Sequence, residues 1–367
     1  MAELTLKTGG AVYSGWTEIR VTRSIKRGAS DFDIALTDRW PGRTAPWPIR
    51  PGADCIVALD GETVLTGYTD SRSPSFEATA HAVRAAGRSK TMDLVDCSAI
   101  VKGGQFRNYT LPAIARALAK PFGIGVTVLG DAGAAFSEVQ IEPGETCFDV
   151  IERLCRLRGL LVCDAAGGNI VIARPGSFGA RNAPLVESRQ GANGSPIGGN
   201  LKSGRSVESF SGRYSDYIVR GQQAGTDYLS GSQASQPQGV ARDDAVSRYR
   251  PRLIVAEAPG GGGDFQTRAD WDAQHAAGLS LSASLTVAGW SDSAGALWTP
   301  GAVVHVDSPT LGIDRELVIV TASYKRSAKD GTETELEVQP ENALTPQPVN
   351  AVSGGAAGSV DQWSNVV

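Results

Sequence analysis

The segment CIVALDGETVLTGYTDSR, residues 55–72, consists of two apolar runs separated by Asp60-Gly61. An Asp-Gly pair between alternating apolar residues is a strong signal for a two-residue β-hairpin, because both turn positions need a positive φ. The segment therefore predicts two antiparallel strands that meet at Asp60-Gly61. Alternation also precedes this segment: Trp16, Ile19, Val21 and Ile25 alternate with polar residues, and Phe32, Ile34 and Leu36 lie on one face at period two.

The pattern changes after residue 97, where helical signals begin. TLPAIARALAKPFG, residues 110–123, has Thr110 as N-cap and Pro112 in the first turn. TCFDVIERLCRLRG, residues 146–159, places Thr146 and Asp149 at the spacing of a capping box. A strand, turn and strand follow in 160–176. We expect an α+β module with a core of its own, built on Ile114, Leu118, Ile151, Leu154 and Cys155.

Strands return in the last third of the chain and predict a second β unit that ends near residue 340. The Gly-, Ser- and Asn-rich residues 176–213 predict a long connection with short paired pieces, and 231–239 a flexible loop. A helix is expected in 264–279, with Thr267 as a possible cap. The Pro- and Trp-rich stretch 40–51 predicts a rigid loop.

Composition excludes several classes of protein. The 367 residues are 41% hydrophobic and 20% charged, which is typical of a folded domain protein. The apolar runs are too short to span a bilayer, and the N-terminus shows no secretory signal. The net charge is −4 and the basic residues are dispersed, so no footprint for nucleic acid or an acidic membrane is visible. Five cysteines, an odd number, favour free thiols in a reducing compartment.

GRSKTMDLVDCSAI, residues 87–100, gathers Asp93, Asp96, Cys97 and Ser98 like the start of an active site. A cysteine nucleophile needs an oriented base, usually a histidine. The chain has only three histidines, each in a strand-like or Ala-rich run: His81, His275 and His305. We therefore expect a structural junction. Its apolar side chains (Met92, Leu94, Val95 and Cys97) would pack, and its polar ones (Asp93, Asp96 and Ser98) would accept backbone N–H groups.

Other chemical templates also fail, so the sequence predicts no catalytic residue, no cofactor and no metal site. No P-loop and no G-x-S-x-G elbow occurs, and PGGGGDF (259–265) favours a mobile loop over a phosphate site. The last three cysteines lack a C-x-x-C spacing and are expected in the core: Cys147, Cys155 and Cys163. Two carboxylate sets are imaginable as a glycosidase pair, but a solvated face is the ordinary explanation: Glu142 with Glu145, and Glu333 with Glu335 and Glu337.

Several segments, taken in order, resemble the baseplate hub proteins of phage Mu and its relatives: GWTEIRVTRSI, TGYTDSR, GRSKTMDLVDCSA, RYRP and GALWTPGAVVHVDSP. The resemblance runs from about residue 12 to 340. It implies a homotrimer in which each subunit brings two small β-barrel-like tube domains, so that six close a pseudo-sixfold ring. The fold class expected is mainly β with an inserted α+β module.

On this resemblance we expect five regions: a first tube domain (1–97), the inserted module (98–180), a connection with a peripheral β/α segment (181–278), a second tube domain (279–342) and a flexible tail (343–367). The expected partners are tail tube or tube-initiator proteins above, a central spike protein below and other baseplate proteins. DNA would pass through without specific binding. The expected location is the virion tail, and the host cytoplasm during assembly. The alternative function is a tail-tip cell-wall hydrolase.

Overall fold

The computed structural model describes residues 3–37, 49–77, 81–178, 181–190, 196–220, 238–255 and 262–347. The predicted loops at 40–51 and 231–239 lie almost entirely outside this part of the chain. Two units divide the protein: residues 1–213 with 274–346 form the first, and residues 214–273 with 347–367 the second.

The described part of residues 1–89 forms seven strands: β1 (Leu4–Thr8), β2 (Ala11–Tyr13), β3 (Glu18–Ser24), β4 (Asp31–Thr37), β5 (Asp54–Leu59), β6 (Glu62–Phe76) and β7 (His81–Ser89). The predicted hairpin is confirmed, since β5 and β6 pair antiparallel and Leu59 lies opposite Glu62. Asp60 and Gly61 have φ values of 49° and 87°. Both therefore adopt the positive φ that a two-residue hairpin turn requires.

The inserted module contains three helices and five strands: α1 (Met92–Asp96), β8 (Gln105–Tyr109), α2 (Leu111–Ala119), β9 (Val126–Leu129), β10 (Phe136–Gln140), α3 (Cys147–Arg156), β11 (Leu161–Asp164) and β12 (Ile170–Ala173). The predicted capping box at the start of α3 is present, because Thr146 Oγ1 accepts from the Asp149 N–H and Asp149 Oδ2 from the Thr146 N–H. All five predicted core residues are buried in one cluster that belongs to the module.

The remaining strands of the first unit are β13 (Leu185–Val186), β14 (Arg189–Gln190), β15 (Pro196–Ile197), β16 (Leu201–Glu208), β20 (Leu281–Ala288), β21 (Val303–Ser308), β22 (Ile313–Ser327) and β23 (Gly331–Gln339). The predicted strands near 280–340 are confirmed. The eight-residue strand β16 was not predicted, because its serines, glycine and charged residues carry no apolar alternation. Leu344, beyond the last strand, is buried beside Val320.

Thirteen strands of the first unit share one large sheet, and its main path runs β16-β20-β23-β22-β3-β4-β7-β6-β5-β1-β2. The two predicted β units are joined within this sheet, because β3 pairs antiparallel with the second half of β22. The pairing runs from Thr321 opposite Ser24 to Arg326 opposite Ile19. One hydrophobic cluster lies behind the sheet and takes residues from both β units.

The second unit contains the strands β17 (Asp216–Arg220), β18 (Gln238–Arg242) and β19 (Pro251–Val255), and most of helix α4 (Gly262–Leu279). Two expectations are wrong here. Thr267 lies inside α4 and does not cap it, and residues 262–265 of the predicted glycine loop already belong to the helix. The side-chain amide of Gln266 accepts from the Val240 N–H at 3.1 Å and donates to the Val240 carbonyl at 2.9 Å.

Candidate functional site: the polar face of the large sheet

The contacts of the Asp93–Ser98 cluster differ from the expected ones. Leu94 is buried in the module core, whereas the Cys97 thiol is exposed. Asp96 does not take a backbone N–H group at the turn. Both of its carboxylate oxygens accept from the Arg88 guanidinium, at 3.1 and 2.8 Å. The expectation failed because Arg88 in β7 lies eight residues earlier in the chain and reaches the helix end only through the fold.

Arg88 also donates to Asp70 Oδ2 at 2.9 Å, so a single guanidinium ties β6, β7 and α1 together. The hydrogen bonds to Asp96 and then to Asp70 raise the pKa of Arg88 above its ordinary value. The end of the first β unit is thereby fastened to the start of the module.

The described histidines contact other groups, and three of the cysteines considered for chemistry are buried. His305 Nε2 lies 3.1 Å from Asp314 Oδ1, and His275 Nδ1 lies 3.1 Å from the Asn342 carbonyl. The side chain of His81 falls outside the described residues. Burial raises the pKa of the Cys147 thiol to about 11 and that of Cys155 to about 12. Cys163 is buried as well. Within the described ranges, no group of His, Cys, Asp and Glu has a metal-binding arrangement.

Three of the five carboxylates that were considered as a glycosidase pair are engaged with cations. Glu145 accepts from Arg153 at 2.8 and 3.0 Å, and this hydrogen-bonded guanidinium lowers the pKa of the carboxyl group. Glu333 accepts from Lys202 at 2.8 Å, and Glu335 accepts from Lys325. A glycosidase needs one carboxyl group held neutral beside a second ionised one. For Glu145, the Arg153 guanidinium favours the ionised form.

One side of the eight-strand run from β16 to β6 is rich in polar side chains. Alternate residues of these strands point into the hydrophobic cluster, for example Ile34, Val83, Leu285 and Leu336. The residues between them point to the other side, which we call the polar face: Glu18, Arg20, Asp31, Asp33, Ser71, Ser73, Ser75, Arg84, Arg88, Ser203, Arg205, Val207, Ser282, Ser284, Thr286, Ser323, Lys325, Glu333, Glu335 and Glu337.

Cations on the polar face lie beside carboxylates of neighbouring strands. Arg84 forms two hydrogen bonds with Asp33, at 2.6 and 2.7 Å, and the guanidinium of Arg20 is 3.8 Å from the same carboxylate. Lys325 and Glu335 form the equivalent kind of pair between β22 and β23. Such cross-strand pairs of opposite charge stabilise a sheet modestly and leave its surface nearly neutral.

The eight strands consist of two equivalent groups of four. In the first group the order is β3-β4-β7-β6, and in the second it is β16-β20-β23-β22. Both β6 and β22 have 15 residues. Each continues past its hairpin partner, β5 or β21, and each carries one irregularity in its pairing with the next strand of its group, β7 or β23. In β6 this irregularity lies between Thr69 and Ser71, and in β22 between Ile319 and Thr321. Asp70 and Val320 therefore occupy matching positions.

Sequence reasoning did not identify this repeat from the residues. The two groups share a pattern of burial and pairing, but little identity: Ile34 matches Leu285, Phe32 matches Ala283 and Arg20 matches Arg205. One signal in the sequence could have revealed the repeat. Two apolar hairpins, with Gly61 in the turn of the first and Gly312 in the turn of the second, each lead into a long strand.

Comparisons with known proteins agree with this architecture. Residues 3–89 match the family described as Mu phage baseplate assembly protein GpP-like, N-terminal. Residues 91–174 match Baseplate hub protein gp44-like, second domain, and residues 263–347 match Mu phage baseplate assembly protein GpP, fourth domain. No helix of the described residues is both long and apolar enough to cross a membrane.

Individual relatives extend the likeness to nearly the whole chain. Baseplate hub protein gp44 of Escherichia phage Mu is 31% identical over 98% of this chain and 94% of its own. The 43 kDa tail protein of prophage MuSo2 from Shewanella oneidensis is 32% identical, with a TM-score of 0.79, over 94% of this chain and all of its own. A component of the type VI secretion system of E. coli shares the fold at 12% identity, with a TM-score of 0.56, over 94% of this chain and 79% of its own.

The match to the phage Mu protein spans almost the full length of both chains, and the three family matches follow one another in the order of the hub protein's domains. The earlier resemblance is thereby confirmed. The protein belongs to the baseplate hub family of phage Mu and its relatives, and is a structural component of a phage tail.

Proposed function

We propose that three copies of this protein form a ring that joins the tail tube above to the central spike below, and that DNA crosses the ring without specific binding. The observation that carries the proposal is the eight-strand run with its two equivalent groups of four strands. Two such groups per copy give a trimer six similar faces. A trimer of this kind can meet a sixfold tube on one side and a threefold spike on the other.

In this arrangement the polar face lines the channel. The hydrophobic cluster occupies the other side of the strands, so the polar face is the side that can remain in contact with water. DNA binding gains affinity when Lys and Arg replace the counterions of the phosphates. Here Arg84 is engaged by Asp33, Lys325 by Glu335 and Lys202 by Glu333, which limits that gain. A nearly neutral wall suits a passage that must release what enters it.

The domain assignment belongs to the same proposal. Tube domains would cover residues 1–97 and 279–342, with the module at 98–180, the connection and peripheral segment at 181–278 and the tail at 343–367. Two elements would cross these bounds: strand β16 joins the second tube domain through its pairing with β20, and helix α1 joins the module, whose core contains Leu94. The partners would be tube or tube-initiator proteins, a spike protein and other baseplate proteins, with assembly in the host cytoplasm. The alternative of a cell-wall hydrolase draws no support from the described carboxylates, because Glu145 and Glu335 are held by cations.

Two measurements test this function. The mass in solution, from light scattering at micromolar concentration, should be that of a trimer, and a monomer would contradict the ring. The second measurement replaces three carboxylates of the polar face, as Asp33→Asn, Glu333→Gln and Glu335→Gln. This variant should bind a short DNA duplex at low salt more tightly than the natural protein does.

The control for the DNA measurement removes the same number of charges from the module, as Glu138→Gln, Glu142→Gln and Glu152→Gln. Both variants change the net charge equally, so only the position of the charges differs. If the two variants bind DNA equally well, the polar face does not line the passage.

A further inference from the structure

We propose that residues 70–76 of β6 in one copy pair antiparallel with β16 of a second copy of the same chain. The inference rests on the ring assembly proposed above and names the surfaces that hold it together. These strands end the eight-strand run at opposite sides. In the ring, β6 of each copy would pair with β16 of the next copy, and β16 of each copy would pair with β6 of the previous one. This is a head-to-tail contact.

The internal repeat supplies a template for this contact. Within one chain, the second half of β22 ends one group of four strands and pairs with β3, which begins the other group. Strand β6 is the counterpart of β22, and strand β16 is the counterpart of β3. Pairing β6 with β16 of another copy thus repeats a junction that the fold already contains.

The template also fixes the register. Ser323 lies opposite Thr22 in the junction within the chain. Ser73 of β6 is the counterpart of Ser323 of β22, because Ser73 pairs with Arg84 in β7 as Ser323 pairs with Glu335 in β23. The irregularities at Asp70 and Val320 give the same alignment of β6 with β22. Thr22 pairs with Asp31 as Val207 pairs with Ser282. The predicted pairs between copies are therefore Arg72 with Glu208, Ser73 with Val207, Ser75 with Arg205 and Phe76 with Gly204.

The backbone of β16 faces in the direction that this register requires. The Ser209 N–H donates to the Ser280 carbonyl, so Ser209 and Val207 direct their backbone groups toward β20. Residues 204, 206 and 208 then direct theirs to the open edge. In the template, the Ile25 N–H donates to the Val320 carbonyl. The residues of β3 whose backbone groups bond to β22 are accordingly Ile19, Val21 and Arg23. Their counterparts in β16 are Gly204, Ser206 and Glu208.

The outer edge of β6 shows the complementary alternation. Arg72, Pro74 and Phe76 match Ala322, Tyr324 and Arg326, which are the residues of β22 that bond to β3. Pro74 has no N–H group, and in a strand such a residue is tolerated where the missing donor would face outward from the sheet. The ladder between copies would contain one hydrogen bond fewer than its template, at the Ser206 carbonyl.

The side chains at the predicted contact are complementary in charge. The Nε atom of Arg72 is buried and has no hydrogen-bond partner among the described residues. A buried guanidinium nitrogen without an acceptor is costly. The register places Arg72 directly opposite Glu208, whose side chain is exposed in the single chain. The carboxylate of the second copy would supply the missing acceptor.

The side chains are also complementary in size. Phe76 is 81% exposed in the single chain. Its predicted counterpart is Gly204, beside Leu285 and Leu311, each of which lies 2.9 Å from the position of an added Cβ. A pocket of about 310 Å³ lies at this place. The large ring would thus meet a strand position without a side chain, next to leucines that it can cover.

A disulfide test follows from the register. Ser73→Cys and Val207→Cys are combined in a Cys97→Ser background, because Cys97 is the exposed natural thiol. The predicted pair is a non-hydrogen-bonded one, with a Cα separation of about 4.5 Å that a disulfide can bridge. Mild oxidation should produce covalent dimers and trimers on a non-reducing gel. The shifted pair Ser75→Cys with Val207→Cys should produce at least about tenfold less, because diagonal partners are about 7–8 Å apart.

The control within the chain is Thr22→Cys with Ser323→Cys, which should close an internal disulfide without a covalent oligomer. A trimer in solution that gives no cross-link from the Ser73/Val207 pair, or that gives as much from the shifted pair, overturns the proposed contact and leaves the ring intact. A protein that is a monomer and gives no cross-link overturns both.

A charge exchange provides an independent readout. Arg72→Glu and Glu208→Arg should each raise the midpoint concentration of trimer dissociation by at least about tenfold, because a close interfacial charge pair becomes a repulsion. The double variant should recover most of that loss. Equal and additive effects of the two changes, with no recovery, would show that the residues do not meet.

Discussion

Tyr324 donates its buried hydroxyl to the Trp298 carbonyl at 2.6 Å, and the same tyrosine lies opposite Val21 in the pairing of β22 with β3. The hydrogen bond therefore holds the wall of the hydrophobic cluster at the line where the two β units join. Burial raises the pKa of the phenol to about 12, so the group remains a donor across the physiological range.

Replacing this tyrosine tests how much the junction contributes to stability. Tyr324→Phe leaves the buried Trp298 carbonyl without its donor and should lower the free energy of unfolding by about 1–3 kcal/mol. Tyr249→Phe, at a side chain that is 87% exposed, is the matched control and should change it by less than about 0.5 kcal/mol. Chemical denaturation measures both. An equal effect of the two changes would show that the Tyr324 hydroxyl contributes nothing specific.

Asp164 of the module is almost fully buried against the first β unit, where it accepts from the N–H and the hydroxyl of Ser30 at 3.1 and 3.0 Å. Burial raises the pKa of this carboxyl group above its ordinary value of 3.8, and Arg23 opposes the shift. A carboxyl group with a raised folded-state pKa contributes stability below its unfolded value and loses it as the pH rises through the folded value.

Asp164→Asn should therefore flatten the decrease in melting temperature between acidic and neutral pH, because the amide keeps an acceptor for the Ser30 N–H and carries no charge. Asp164→Ala should destabilise the protein by about 1–3 kcal/mol at all pH values, since it leaves the Ser30 donors unsatisfied. Melting curves at several pH values separate the two variants. A steeper pH dependence in the asparagine variant would contradict the assigned direction of the shift.

The module core provides the third prediction. Ile151 is fully buried in α3, and Ile151→Ala should cost about 2–5 kcal/mol within the module. Because the module has its own hydrophobic cluster, calorimetry should show a separate transition at lower temperature while the proposed trimer persists. Glu152→Ala, on the exposed side of the same helix, is the control. One joint transition would show that module and sheet unfold as a single unit.

Cys97 provides the fourth prediction. Its thiol is exposed, and Cys97→Ala should leave particle infectivity and the stability of the protein nearly unchanged. Surface changes away from packed features alter the free energy of unfolding by about 0.5 kcal/mol or less. Infectivity of reconstituted particles is the measurement, with Leu94→Ala as the destabilising counterpart from the same helix. Loss of infectivity with normal assembly would mean that the thiol has a chemical role.

Local patterns predicted the elements that carry an apolar period or a cap. The hairpin at Asp60-Gly61 and the box formed by Thr146 and Asp149 could be found because neighbouring residues determine them. Strand β16 could not be predicted, because its pairing with β20 comes from residues about 80 positions away and its own side chains show no apolar alternation. The same applies to Arg88, whose partner Asp70 lies on another strand.

The polar face was only partly predictable. The alternation of Glu333, Glu335 and Glu337 indicated a solvated strand face, which the structure has. Their cations could not be assigned, because Lys325 comes from the next strand and Lys202 from the unpredicted β16. The equivalence of the two groups of strands was expected only from the family resemblance, since it lies in pairing and burial and hardly in residue identity.

The amide of Gln266 has a consequence for the outer edge of β18. Strand β18 lies at one edge of its three-stranded sheet, and an open edge can attract strands of other chains and start aggregation. By binding both backbone groups of Val240, Gln266 occupies the place that a foreign strand would take. A single side chain thus blocks strand addition at this position of the edge.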